Sequence, residues 1–149
     1  MSERRAPVSA MSTYAILGCG SVGHAVADDL VEKGKDVLIL ERDPDRVDAL
    51  RDQDLNAVQV DIREPELADH VADRDVILIL SSDVEANEAA VETIRQAGGD
   101  QFVIVRASDP VSGDELTEKG ADVVINPSTV IADAALRAVE SDELEYKAA

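Results

Sequence analysis

The stretch Tyr14–Gly23, YAILGCGSVG, restricts this chain more than any other. A short apolar run, Ala15 to Leu17, leads into Gly18-Cys19-Gly20-Ser21-Val22-Gly23. Val22, Val26 and Leu30 then recur at helical spacing. The glycines therefore stand where a strand turns into a helix, the setting of a dinucleotide-phosphate site. Gly18 permits the tight turn, Gly20 places no side chain between a pyrophosphate and the backbone, and Gly23 lets the helix pack close against the strand. The helix start then offers unpaired N–H groups and a partial positive charge to an anion. Glycines also cluster in turns for conformational reasons alone. Here the flanking strand and helix supply the context that the motif needs.

With 149 residues the chain makes one domain with room for a real core. Its longest apolar runs, such as Val76–Leu80, are far too short to span a bilayer. The N-terminus lacks a signal-peptide stretch, so no direct membrane insertion is expected. A single cysteine cannot form an internal disulfide, which fits a reducing cytoplasm. Thirty-two Asp and Glu against 14 Lys and Arg leave a formal net charge of −18. One reading is a solvated acidic surface, suited to a halophilic cytoplasm because molar salt shrinks the Debye length to roughly 3 Å. The other is an acidic face for a basic partner. Nucleic acid is disfavoured as a partner, since no basic stripe exists for phosphates. One Phe, two Tyr and no Trp also leave no stacking platform for bases.

Residues 1–12 are polar and irregular and read as a disordered leader, 13–140 as the folded domain, and 141–149 as an acidic tail. A helix from Ser21 to Lys33 stops at Gly34. Asp36–Glu41 is a buried strand ending in a carboxylate, and Asp43-Pro44 opens the next helix, with Val47 and Leu50 toward the sheet. Ala57–Val60 is a third strand ending at Asp61, followed by a short helix over 64–71. Val76–Leu80 reads as a central fourth strand, because parallel strands covered on both faces give continuous apolar runs. Ser81-Ser82-Asp83 caps a helix over 84–97. Phe102–Val105 is a fifth strand ending at Arg106, Asp114–Lys119 a short helix, and Asp122–Ile125 a sixth strand. Asn126-Pro127-Ser128 starts a last helix in which Ile131, Ala135 and Val139 share a face. This alternation predicts an α/β fold of Rossmann type: a doubly wound, parallel, six-stranded sheet between two helical layers, in the order 3-2-1-4-5-6. A crevice should open between strands one and four. No residues remain for a substrate domain.

Glu41 lies 18 residues beyond Gly23, close to the roughly 20 expected of the acid that bonds a ribose diol. A carboxylate there also opposes a 2′-phosphate, by about 4 kcal/mol for unit charges ~4 Å apart at an effective dielectric near 20. Salt screens much of this repulsion, so NAD is expected over NADP mainly through the diol geometry. Arg42 complicates this, as an arginine at that place accepts a 2′-phosphate or stacks on adenine. Glu41 is otherwise a plain strand-end carboxylate. Asp61, with Ile62 beside it, reaches the adenine side of the crevice or serves as a turn aspartate. Ser81, Ser82 and Asp83 face the glycine loop and bond a ribose or phosphate, cap the helix, or do both. Arg106 faces the pyrophosphate or a partner domain, or is a surface arginine. His24 either donates to a phosphate oxygen or is a plain helix residue. Cys19, like Ser21 and Val22, occupies the loop itself. Tyr14 and Tyr146 are not placed as a catalytic Tyr with a Lys four residues on. No Cys/His cluster has metal spacing, and no Ser/His/Asp set can be argued for. A nucleotide site without an acid, a base or a substrate domain reads as a sensor.

On these residues the chain resembles the N-terminal regulator-of-K+-conductance domain (RCK-N, or TrkA-N) over Thr13–Val139. The resemblance rests on GCGSVG, the acid in LILERD, VQVDI, VILILSSDVEAN with Asn87, FVIVRASD and GADVVINP, in this order and spacing. It departs from the family at Gln59-Val60, where a glycine usually precedes the aspartate, and at His24, where arginine is common. The resemblance implies a cytosolic module, peripheral at the inner face of the membrane, that binds NAD or NADH, or in some branches ATP or ADP. Such a module gates a membrane potassium transporter or channel subunit and forms homodimers or rings through this domain. Gly18, Gly20, Gly23, Glu41, Asp61 and Ser81 fall on positions that the family uses around the nucleotide. Similar domains also precede DHH-type phosphoesterases. The second reading is therefore the nucleotide-binding front of a larger enzyme, a phosphoesterase or a dehydrogenase. The third is a degenerate module serving assembly alone.

Overall fold

The computed structural model describes residues 11–141, so nearly all of the expected leader and the acidic tail beyond Ser141 lie outside the described residues. Strands and helices alternate from end to end: β1 (Thr13–Leu17), α1 (Ser21–Glu32), β2 (Asp36–Glu41), α2 (Pro44–Asp52), β3 (Ala57–Gln59) and α3 (Leu67–Val71). They continue as β4 (Val76–Ile79), α4 (Val84–Gln96), β5 (Phe102–Arg106), α5 (Pro110–Lys119), β6 (Val123–Ile125) and α6 (Pro127–Glu140). All neighbouring strands pair in parallel, in the order β3-β2-β1-β4-β5-β6. The α/β doubly wound sheet and its strand order are those that the sequence predicts.

The four residues of β1 from Tyr14 to Leu17 are all buried, as a strand with helices on both faces requires. Their side chains alternate between two cores. Ala15 and Leu17 pack with Ile77, Ile79, Val103 and Val105 on one face. Tyr14 and Ile16 pack with Ile39, Val47, Leu50 and Val76 on the other. Register places Leu17 opposite both Leu40 and Ile79. The carboxyl ends of β1, β2 and β4 therefore finish level, and the order of strands reverses between β1 and β4. A crevice at that point follows from topology alone.

Local signals set most helix starts. Asp43 accepts from the Asp45 N–H at 3.0 Å and Asp83 from the Ala86 N–H at 3.1 Å, each capping its helix. Helix α5 begins at Pro110, four residues before the expected Asp114. Asp109 and Ser112 form a reciprocal capping box there, and Asp109-Pro110 repeats the Asp43-Pro44 signal. Helix α6 starts at Pro127 as expected, yet none of its residues is buried, and Val130, Ile131, Leu136 and Val139 are exposed. Among the described residues, no helix is long and apolar enough to cross a membrane.

Candidate functional site

The corner between β1 and α1 is shaped by two glycines that accept no other residue. Gly18 has φ +83°, and a β-carbon there would lie 2.5 Å from the Ser81 β-carbon. A β-carbon on Gly23 would come 2.7 Å from the Gly18 carbonyl oxygen, where α1 crosses the end of β1. Gly20 is different. Its φ of −83° suits any residue, and a β-carbon there would meet no protein atom within 4 Å. Folding does not call for a glycine at this position, whereas close approach of a ligand to the backbone does. Gly20 is also the N-cap of α1, with no side-chain cap and no acidic residue in the first turn, unlike the aspartate-capped α2, α4 and α5. A helix start of this kind, with free N–H groups and no acidic side chain, suits an anion.

Beside this corner lies an open crevice of about 370 Å³, a size suited to a small-molecule ligand. Of the residues expected to bind a nucleotide, Gly18, Cys19, Gly20, Ser21, Val22, Glu41, Arg42, Asp61, Ile62, Ser81, Ser82 and Arg106 all line it. Gly23 does not line it and lies beneath the loop as a packing residue. His24 is outside the crevice too. Its Nε2 sits 2.8 Å from Oε1 of Gln53, and it lines a smaller hollow between α1 and α2. Ile62 is 7% exposed and belongs mainly to the core beside Val60.

Glu41, buried at the end of β2, holds the corner together. Its Oε1 accepts from the Cys19 N–H at 3.1 Å and from Arg46 Nη1 at 3.3 Å, and its Oε2 accepts from the Asp43 N–H at 2.8 Å. The Cys19 thiol is buried against this carboxylate. Burial first, and the negative charge of Glu41 second, push it up to about 11, so the thiol stays protonated at neutral pH.

On the β3 side, Asp61 is clasped by Arg63, which donates from Nε to Oδ1 at 3.1 Å and from Nη2 to Oδ2 at 2.9 Å. The side-chain and backbone hydrogen bonds from Arg63 hold the Asp61 carboxyl down at about 2. On the β4 side, the Ser81 hydroxyl donates to Asn87 Oδ1 at 2.6 Å. The fully buried Asn87 amide donates to the carbonyl oxygens of Ser81 at 2.9 Å and Arg106 at 3.0 Å. Asn87 thus ties the ends of β4 and β5 to α4, while Ser81 spends its hydroxyl on that tie.

Two crevice residues, Arg46 and Arg63, escaped the sequence reading. With Arg42 and Arg106 they set four positive side chains against Glu41, Asp61 and Asp83. In a chain of net charge −18, this mouth is locally balanced for an anionic ligand. The position of Arg63 two residues past Asp61 was its only available signal, and Arg46 shows in sequence only as a residue of the first turn of α2.

Comparison with known proteins identifies the family. The chain is 27% identical over 133 residues to the Trk system potassium uptake protein TrkA of Mycobacterium tuberculosis. That match covers 87% of this chain and 60% of the relative, so the chain spans about three fifths of the curated protein. Its fold superposes with TM-score 0.80 on the NAD(P)-binding domain of an exopolyphosphatase-related protein from Archaeoglobus fulgidus, 24% identical, over 87% of this chain and 98% of that one. It also superposes with TM-score 0.70 on the GsuK channel bound to NAD, 18% identical, over 84% of this chain and 23% of that one. The family model of the TrkA-N domain matches residues 14–127, from the buried start of β1 to the start of α6. This chain belongs to the TrkA-N domain family.

Proposed function

We propose that this chain is a non-catalytic regulatory domain that binds NAD or NADH in the crevice and controls a potassium transport system. The observation that carries the reading is Gly20, a bare backbone corner that no neighbouring atom requires, at the uncapped start of α1. In this reading the Gly18–Gly23 corner cradles the diphosphate and Glu41 takes the ribose. Asp61, Ile62 and Arg42 border the adenine, and Ser81, Ser82 and Arg106 lie toward the second nucleoside. ADP or ATP would occupy the same first half. The TrkA relative is a potassium uptake protein, and GsuK is a channel with NAD bound. Both support a membrane transporter or channel subunit as the partner, with this domain peripheral at the cytoplasmic face. Pairing of two such domains into a dimer or ring gives the crevice its lever, since a nucleotide shifts the pairing geometry by its differential affinity for the two states.

Calorimetry with NAD, NADH, NADP, ATP and ADP in molar KCl tests this. One-to-one binding of NAD or NADH, lost in Gly20→Val, is the expected result. Absence of binding by all five ends the proposal.

A second reading draws on the Archaeoglobus protein, whose NAD(P)-binding domain belongs to an exopolyphosphatase-related chain. In that reading the crevice serves a downstream phosphoesterase. Asp/His metal motifs in the reading frame beyond Ala149 would favour it over the transport role.

A further inference from the structure

We infer that Arg46 is a specificity-determining residue, a movable latch on Glu41 that sets whether the crevice prefers a free ribose diol or a 2′-phosphorylated ribose. The inference rests on the nucleotide reading above. A carboxylate offers about four acceptor positions. Three donors already address Glu41: the Cys19 N–H, the Asp43 N–H and Arg46 Nη1. The two N–H groups belong to the main chain at the corner and at the N-cap of α2, and neither leaves without dismantling the fold. Arg46 does leave freely. Its side chain is 50% exposed, its contact of 3.3 Å is the longest of the three, and Glu41 is its only polar partner among the described residues.

A ribose diol brings two O–H donors, and only one acceptor position on Glu41 is open to them. The second hydroxyl must displace Arg46. Room for the displaced side chain exists, because Arg46 lines both the crevice and the adjoining hollow of about 260 Å³ beside His24 and Gln53. A 2′-phosphate reverses the balance. It brings no donor at that position, and bare Glu41 repels it. With Arg46 in place, the Glu41 charge is offset, and four guanidinium N–H groups remain for the phosphate. The exposed Arg42 stands alongside. One side chain thus opposes one ligand class and recruits the other.

The test is the ratio of NADH to NADPH affinity, measured by calorimetry for the wild type, Arg46→Met and Arg46→Lys. Removing a half-exposed pair with Glu41 should tighten NADH about threefold in Arg46→Met. Losing charged hydrogen bonds should weaken NADPH about tenfold. Arg46→Lys, which keeps a charge without the planar fork, should fall between. If Arg46→Met moves both ligands by the same factor, Arg46 only packs α2 and the latch is overturned. A ratio within twofold of wild type overturns it equally. If the wild type binds neither dinucleotide, the nucleotide reading itself falls and takes the latch with it.

Discussion

Gly18 and Ser81 touch across the reversal of strand order: a β-carbon on Gly18 would sit 2.5 Å from the Ser81 β-carbon, at φ +83°. The glycine corner and the end of β4 are therefore set against each other by contact, with no space for a methyl group. Gly18→Ala should destabilise the fold by about 2–4 kcal/mol, from positive-φ strain and the steric conflict together. Gly20→Ala, by contrast, should change stability by less than about 1 kcal/mol while weakening dinucleotide binding at least about tenfold. Urea unfolding paired with calorimetry separates the two. Equal destabilisation by both substitutions would remove the argument that Gly20 answers to a ligand.

Asn87 is the buried tie between β4, β5 and α4. Asn87→Leu leaves the Ser81 and Arg106 carbonyls without their amide donor and should cost about 2–4 kcal/mol. Nucleotide affinity should fall as well, because Ser81 and Arg106 lose their shared anchor. Chemical denaturation measures the first effect and titration of the folded variant the second.

The Asp61–Arg63 clasp gives a pH signature. The Asp61 carboxyl is held at about 2, below its ordinary 3.8. A depressed carboxyl contributes stability that is fully present above the unfolded value and is lost as pH falls through the folded one. The contribution of this pair is therefore complete above pH ~4 and decays between about 4 and 2. Carbon-detected NMR should place the Asp61 midpoint near 2 and move it upward in Arg63→Ala. An unmoved midpoint would mean that the main-chain N–H of Arg63 alone holds the charge.

Cys19 should resist thiol reagents although it lies at the mouth of the site. Its thiol stands at about 11 because burial, then the Glu41 charge, disfavours the thiolate. At pH 8 the native chain should react at least about a hundredfold more slowly than a free thiol. Reaction at the free-thiol rate would show that the corner opens readily.

Much of this architecture is legible in the chain itself, for identifiable reasons. Parallel strands buried on both faces leave continuous apolar runs, so β2 and β4 stand out. The spacing from Gly23 to Glu41 is a geometric demand of one βαβ unit, and the capping aspartates Asp43 and Asp83 act on neighbours two or three residues away. What escapes is interaction between distant segments. Nothing local to Asn87 announces the Arg106 carbonyl 19 residues on. Nothing in Pro44–Leu50 marks Arg46 as the residue that reaches Glu41. The start of α5 was readable from Asp109-Pro110, since the same pair opens α2. For α6 the periodicity of Ile131, Ala135 and Val139 says that an apolar stripe exists and leaves open whether the sheet covers it.

That bare stripe has a consequence for how the molecule comes apart. A 14-residue helix with no buried side chain borrows almost nothing from the two cores, and helices of this length are marginal in water. In the isolated chain, amide hydrogens of α6 should exchange at close to free-peptide rates. Those of β1 should exchange only when the whole sheet opens. One polypeptide then carries two clocks, and slowing of the α6 clock alone, with β1 unchanged, would register a contact made by that helix and by nothing else in the domain.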